Sequence, residues 1–207
     1  MDLKGKKVLV FGAGKSGIGA ADLLGSVGAQ PIIYDGNENL DKEAVLHKTN
    51  GTYTPEIWAG AFPEGEMESL DLVVLSPGVP TDLPLVKSFY EKGLPVWSEV
   101  ELAYRTGKGE VLAITGTNGK TTTTALLGKI MGDARESVFV VGNIGTAYTS
   151  KSLEMREDSV TVAEISSFQL ETIEQFRPKV SAILNITEDH LNRHHTMEEY
   201  ILSLIHI

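Results

Sequence analysis

The 207-residue sequence contains no cysteine, so it can form no disulfide and no cysteine-ligated zinc site. It also lacks a basic excess: 18 Lys and Arg stand against 28 Asp and Glu, a formal net charge of −10. A general nucleic-acid binder needs a cationic face to displace counterions, so no nucleic-acid partner is expected. An anionic small ligand stays open, because a Gly-rich loop binds phosphate locally whatever the net charge. The opening MDLKGKK passes at once into VLVFG, too short for a signal segment or a membrane span. A cytoplasmic location away from membranes is therefore expected. Repeats and low-complexity stretches are absent too. The chain is 42% hydrophobic and 22% charged, ordinary values for a globular protein, and long enough for one large or two small domains.

What is present is alternation. Short apolar runs at Val8–Phe11, Pro31–Tyr34, Leu72–Leu75, Val111–Ile114, Phe139–Val141, Val160–Ala163 and Val180–Leu184 are separated by Gly, Ser or Thr and helix-compatible stretches. Val/Ile/Leu runs of this length read as strands buried on both faces, and the alternation is the grammar of a parallel α/β sheet. Ser98–Gly109 reads as a short helix ending in a Gly-rich link, which places a domain boundary near Lys108. Two phosphate-type loops, one on each side of that link, suggest two nucleotide-binding folds in tandem.

The second loop is the more specific. Gly116-Thr117-Asn118-Gly119-Lys120-Thr121-Thr122 follows a strand and opens a helix. Its glycines allow backbone N–H groups to face phosphates, and a helix N-terminus adds partial positive charge. Lys120 can reach the β- and γ-phosphates of ATP, and Thr121 can offer its hydroxyl to Mg²⁺. The full Walker spacing would need glycine at Ile114, so this is a shorter form of the loop. The plain alternative is a Gly-rich turn carrying a surface lysine.

The first loop, Gly12-Ala-Gly14-Lys-Ser-Gly17, also follows a strand, and Asp35 ends the next strand 18 residues later. Read alone, this is a dinucleotide fingerprint with a ribose-binding acid, so an NAD(P)-dependent oxidoreductase stays open. Ser76-Pro-Gly78-Val-Pro80 reads on its own as a turn. Glu164, at the end of the strand VTVAE, is either a cation ligand facing the phosphate loop or a strand-end acid facing water. His190 is by residue type a solvated loop histidine, and His194 and His195 are read the same way.

The segments taken together resemble the Mur ligase family. GTNGKTTT is similar to its ATP loop, Gly142-Asn143-Ile144-Gly145 to its substrate-contacting loop, and Glu164–Glu171 and Asn185–His190 to its two metal-ligand segments. Ser-Ser-Phe-Gln-Leu-Glu is similar to the version in the D-glutamate-adding member. The resemblance runs from about residue 5 to 201. It implies a Rossmann-like UDP-binding domain over 1–108 and the front part of a P-loop-type α/β ATP-binding domain over 109–201. It implies ATP and Mg²⁺ as cofactors, and UDP-N-acetylmuramoyl-L-alanine and D-glutamate as substrates of a monomeric amide ligase. By the same resemblance Lys15, Ser16, Asp35, Ser76, Gly78 and Asn143 contact the UDP-linked substrate. Gly116 to Thr122 hold ATP; Thr121, Glu164 and His190 hold the metal; and Lys120, Glu164 and His190 are catalytic. A sibling ligase using another amino acid, a phosphate-loop ATPase and a non-catalytic nucleotide-binding module remain alternatives.

Two departures stand out. Where the family has a lysine four residues after Tyr200, this chain has Leu204, and Asn192 stands where many relatives carry Asp. The ending LSLIHI is also the translation of a transposon end used to fragment DNA, so 202–207 is expected to be a non-native tail. The family's third domain is expected to lie outside the chain, leaving the fragment inactive alone.

Overall fold

In a computed structural model that describes residues 2–143 and 145–207, the chain folds into two compact units, Met1–Leu102 and Ala103–Ile207. The division falls inside a helix rather than in the Gly-rich link near Lys108.

Unit 1 contains β1 (Lys7–Phe11), α1 (Lys15–Ser26), β2 (Gln30–Asp35), α2 (Lys42–Leu46), β3 (Glu56–Ala59), β4 (Leu72–Leu75), α3 (Pro84–Glu91), β5 (Val96–Ser98) and the start of α4 (Glu99–Thr106). Its strands form one parallel sheet in the order β3-β2-β1-β4-β5. The expected strands are present, and β3 and β5 join them at the two edges. Alternate residues of one strand serve two cores. Val8, Val10, Leu72 and Val74 pack with Ile18, Leu23 and Leu24 of α1, whereas Leu9, Phe11, Val73 and Leu75 pack with Val86 and Phe89 of α3. Each such side chain contributes about 1.5–3 kcal/mol by leaving water. This is why the strand sequences read as continuous apolar runs.

Unit 2 contains β6 (Glu110–Thr115), α5 (Lys120–Ala134), β7 (Val138–Gly142), β8 (Val160–Glu164), α6 (Ser167–Leu170), β9 (Val180–Ile183), α7 (Leu191–His194) and α8 (Met197–Ile205). Its parallel order is β7-β8-β6-β9. Only β6 and β8 fit the expectation of strands buried on both faces. The end strands β7 and β9 are largely open, with Val180 59% exposed. Thr196 caps α8 by accepting from Glu199 N at 3.1 Å. Ser203 and Leu204, inside the stretch expected to be a tail, continue α8 and are buried.

In each unit the strand order reverses beside the first strand: β1 lies between β2 and β4, and β6 between β8 and β9. Such reversals open a crevice at the carboxyl ends of the strands, which is where open α/β sheets bind ligands.

Candidate functional site

In unit 1 the crevice is lined by the two segments that the sequence singles out. The β1–α1 loop and the turn after β4 lie side by side: Ser76 N donates to Phe11 O at 2.9 Å, and Ser76 Oγ donates to Gly12 O at 3.2 Å. Gly17 allows α1 to approach this closely, since a Cβ there would lie 1.8 Å from Gly12 O. Asp35 closes the third side. Its Oδ2 accepts from Ala13 N and its Oδ1 from Asn37 N, each at 3.0 Å. The carboxylate thus braces the loop between β1 and α1. Lys15 and Ser16 stand in the first turn of α1, Lys15 exposed and Ser16 half-buried, and Gly78 lies in the turn beside Ser76.

In unit 2 the Gly116–Lys120 loop links β6 to α5, and Gly119 caps the helix with φ 84°. Lys120 Nζ donates to Gly116 O at 2.7 Å and Thr117 O at 2.9 Å, so the ammonium lies folded over the loop. Thr121 and Thr122 follow it in the first turn. Gly116 has φ 127°, and a Cβ there would meet Asn185 O at 2.9 Å and Leu184 N at 3.0 Å. The close neighbour is the segment leaving β9. Asn185 Oδ1 accepts from Asn118 N at 2.8 Å, while Asn185 Nδ2 donates to Asn118 O at 2.9 Å. Thr117 N donates to Asn185 O at 3.1 Å.

Glu164 ends β8 in register with Ile114 and Gly142, so β6 and β7 flank it. It is 2% exposed, and its Oε1 accepts from Asn143 Nδ2 at 3.1 Å. Among the described residues no basic side chain pairs with it, although a buried carboxylate is costly without a positive partner. The shape of the Asn143 loop is described on either side of Ile144, which lies outside the described residues. His190 adopts φ 55°, is about half exposed, lies 3.5 Å from Asp189, and packs on Phe168 at 4.9 Å between ring centres. Among the described residues no three His, Cys, Asp or Glu side chains gather as a metal site.

His194 departs from the sequence reading. It is 5% exposed rather than solvated, because α7 turns it inward against α6. Its Nε2 is hydrogen-bonded to Ser167 Oγ at 2.9 Å, and its Nδ1 lies 3.6 Å from Glu171 Oε1. Burial pushes its pKa below the ordinary imidazole range, against the opposing pull of Glu171. Glu171 also accepts from Arg193 Nη2 at 2.6 Å, and that guanidinium sits over Phe168. α6 itself is held by a capping box: Ser166 Oγ accepts from Gln169 N, and Gln169 Oε1 accepts from Ser166 N at 2.8 Å. Ser-x-x-Gln before Leu170 is the signal that finds it in sequence. Asn185 and Tyr200, by contrast, carry no local signal, since their partners lie on a distant loop.

A parallel sheet that ends in a Gly-rich loop at its switch point, repeated in both units, defines a tandem α/β chain of the nucleotide-binding type. Comparison with known families gives the particular group. The model of the Mur ligase MurD-like N-terminal domain matches residues 6–98, and that of the Mur ligase middle domain matches 114–207. The chain belongs to the Mur ligase family. The UDP-N-acetylmuramoylalanine–D-glutamate ligase of Lachnospira eligens is 62% identical over 97% of this chain and 44% of its own length. The enzyme of the same name from Lachnoclostridium phytofermentans is 58% identical over the whole chain and 46% of its length. The chain therefore spans under half the length of these curated relatives. Among solved structures, the UDP-N-acetylmuramate:L-alanyl-γ-D-glutamyl-meso-diaminopimelate ligase of Neisseria meningitidis matches with a TM-score of 0.58 at 17% identity. It covers 97% of this chain and 67% of that one, a likeness of fold.

Proposed function

We propose that the chain supplies the UDP-substrate unit and the ATP-loop unit of a ligase that adds D-glutamate to UDP-N-acetylmuramoyl-L-alanine. The observation that carries this reading is the pairing of two switch-point loops with 58–62% identity to relatives bearing that activity in their names. An oxidoreductase would use the first loop and leave the second, with Lys120 and Glu164, without a role.

In this reading Gly12 to Ser16, Asp35, Ser76 and Gly78 hold the UDP portion, and Asn143 holds the substrate near Glu164. Gly116 to Thr122 hold ATP. The L-alanine carboxylate attacks the γ-phosphorus, the β–γ bridging bond breaks, and an acyl phosphate and ADP result. The amine of D-glutamate then adds to the acyl carbon. The tetrahedral adduct expels inorganic phosphate, loses a proton, and leaves the amide. Activation converts a poor leaving group into a good one, dividing one hard step into two easier ones. Lys120, released from its loop carbonyls, neutralises charge on the transferred phosphoryl group.

The donor types fit Mg²⁺. Thr121 and Glu164 offer oxygen, the ligand this hard cation prefers, and among the described residues the buried Glu164 carboxylate has no basic partner. His190 is the third member of the proposed set and offers nitrogen. The bound ion would supply charge neutralisation between the two anionic reactants.

Ligand-induced melting shifts test the reading. UDP-N-acetylmuramoyl-L-alanine and Mg-ATP should each raise the melting temperature, since a ligand at 100 times its Kd stabilises by about 2.7 kcal/mol. Lys120→Met should abolish the Mg-ATP shift and spare the other. A shift with NADH and none with Mg-ATP would establish the oxidoreductase instead.

A further inference from the structure

The Thr117 hydroxyl sits inside the phosphate loop, yet it is turned away from the loop's mouth. Its Oγ1 donates to Thr187 O at 3.1 Å and accepts from Thr187 N at 3.0 Å. A third partner, Tyr200 Oη, lies 2.9 Å away. A threonine hydroxyl has one proton and two lone pairs. The proton goes to Thr187 O and one lone pair to Thr187 N, so the remaining lone pair receives the Tyr200 O–H. The direction of this bond follows from the count alone.

Tyr200 is 1% exposed and packs against His194 at 5.3 Å between ring centres, the rings tilted by 43°. Its ring is thus fixed by packing and its hydroxyl has one place to go. We infer that Tyr200 is a positioning residue for the nucleotide loop: through Thr117 it fastens α8 to both Gly116–Lys120 and the segment carrying His190. The loop is distant in sequence from both partners, Thr187 lying 70 positions and Tyr200 83 positions after Thr117. A loop that must present backbone N–H groups to phosphate loses affinity when it has several shapes to choose from, because ligand then selects one of them. Deleting the Tyr200 hydroxyl leaves Thr117 bonded to Thr187 and frees the loop from α8.

The role in nucleotide binding rests on the ATP-loop reading above, so the experiment has two independent readouts. In Tyr200→Phe, amide hydrogen exchange at 116–119 and at Thr187 should quicken about 3- to 10-fold, the range set by one net hydrogen bond. The Kd for Mg-ATP, by titration calorimetry on the same 207-residue chain, should rise by a similar factor. Ser203→Ala is the structural comparison. It removes another buried α8 hydroxyl, one bonded to Ser167 O at 2.6 Å and not to the loop, and should leave Mg-ATP affinity as it is. Unchanged loop exchange in Tyr200→Phe overturns the latch. Equal losses of affinity in the two variants overturn the positioning role in favour of general helix stability. Faster exchange in Tyr200→Phe, in a chain that binds no Mg-ATP, overturns the ATP-loop reading and the positioning role with it, while the fastening itself stands.

Discussion

Replacing Gly116 by alanine should selectively destabilise unit 2. The backbone there has φ 127°, a region costing a non-glycine residue about 1–3 kcal/mol. The added methyl also meets Asn185 O, Leu184 N and Asn185 N at 2.9–3.1 Å, all backbone atoms of the segment leaving β9. Overpacking of this kind costs about 1–3 kcal/mol more. The two together come to about 2–6 kcal/mol, a large part of the stability of a small domain, which is about 5–15 kcal/mol. The assay exploits a compositional accident. Both tryptophans, Trp58 and Trp97, lie in unit 1, so tryptophan fluorescence in a urea titration reads that unit. Far-UV circular dichroism reads both units. Gly116→Ala should lower the midpoint of the dichroism change that fluorescence does not share. Gly17→Ala should do the reverse, because its Cβ would lie 1.8 Å from Gly12 O and force α1 off β1. A Gly116→Ala loss below about 0.5 kcal/mol, the range of an inconsequential surface change, would refute the steric argument.

Two further outcomes follow from the buried polar cluster around α6 and α7. His194 binds a proton less readily folded than unfolded, so unfolding takes up a proton as the medium acidifies. Its contribution is complete above about pH 6.5 and is lost as the pH falls towards the lowered folded value. The urea midpoint of unit 2 should drop over that interval, and His194→Gln should flatten the drop. Arg193→Met removes the 2.6 Å partner of a carboxylate that is itself largely buried. Breaking one side of such a pair costs about 3–5 kcal/mol, and a change under 1 kcal/mol by urea titration would show the pair to be solvent-screened instead.

Strands with both faces buried announce themselves in sequence, and β1, β2, β4, β6 and β8 do so as Val/Ile/Leu runs. The edge strands β3 and β5 do not: Glu56–Ala59 has only three apolar residues behind an acid, and Val96–Ser98 spans three residues in all, so neither makes a long run. β7 and β9 were legible as strands, but their exposure was not, because burial depends on what lies beside them. The domain division was read from Gly107 and Gly109, whereas packing divides α4 itself. Leu102 joins the unit 1 core, while Tyr104 packs on Phe176 and Arg105 pairs with Glu174 of unit 2. The two Gly-rich loops were legible as strand–loop–helix turns because glycine spacing and a following helix are local. Asn185, Tyr200 and the inward turn of His194 were not, because each is defined by a partner far along the chain.

The clasp between Asn118 and Asn185 has a consequence for the newly made chain. Residues Gly116 to Lys120 form the Gly-rich loop of unit 2, yet their shape is completed by a partner 67 positions downstream. At about 5–20 residues per second, translation leaves the loop without that partner for about 3–13 s. During that interval β6 has not met β9, and Gly116 is free to take conformations that Asn185 later forbids. The loop therefore reaches its final shape only after Asn185 has been made, although its sequence signature is complete well before.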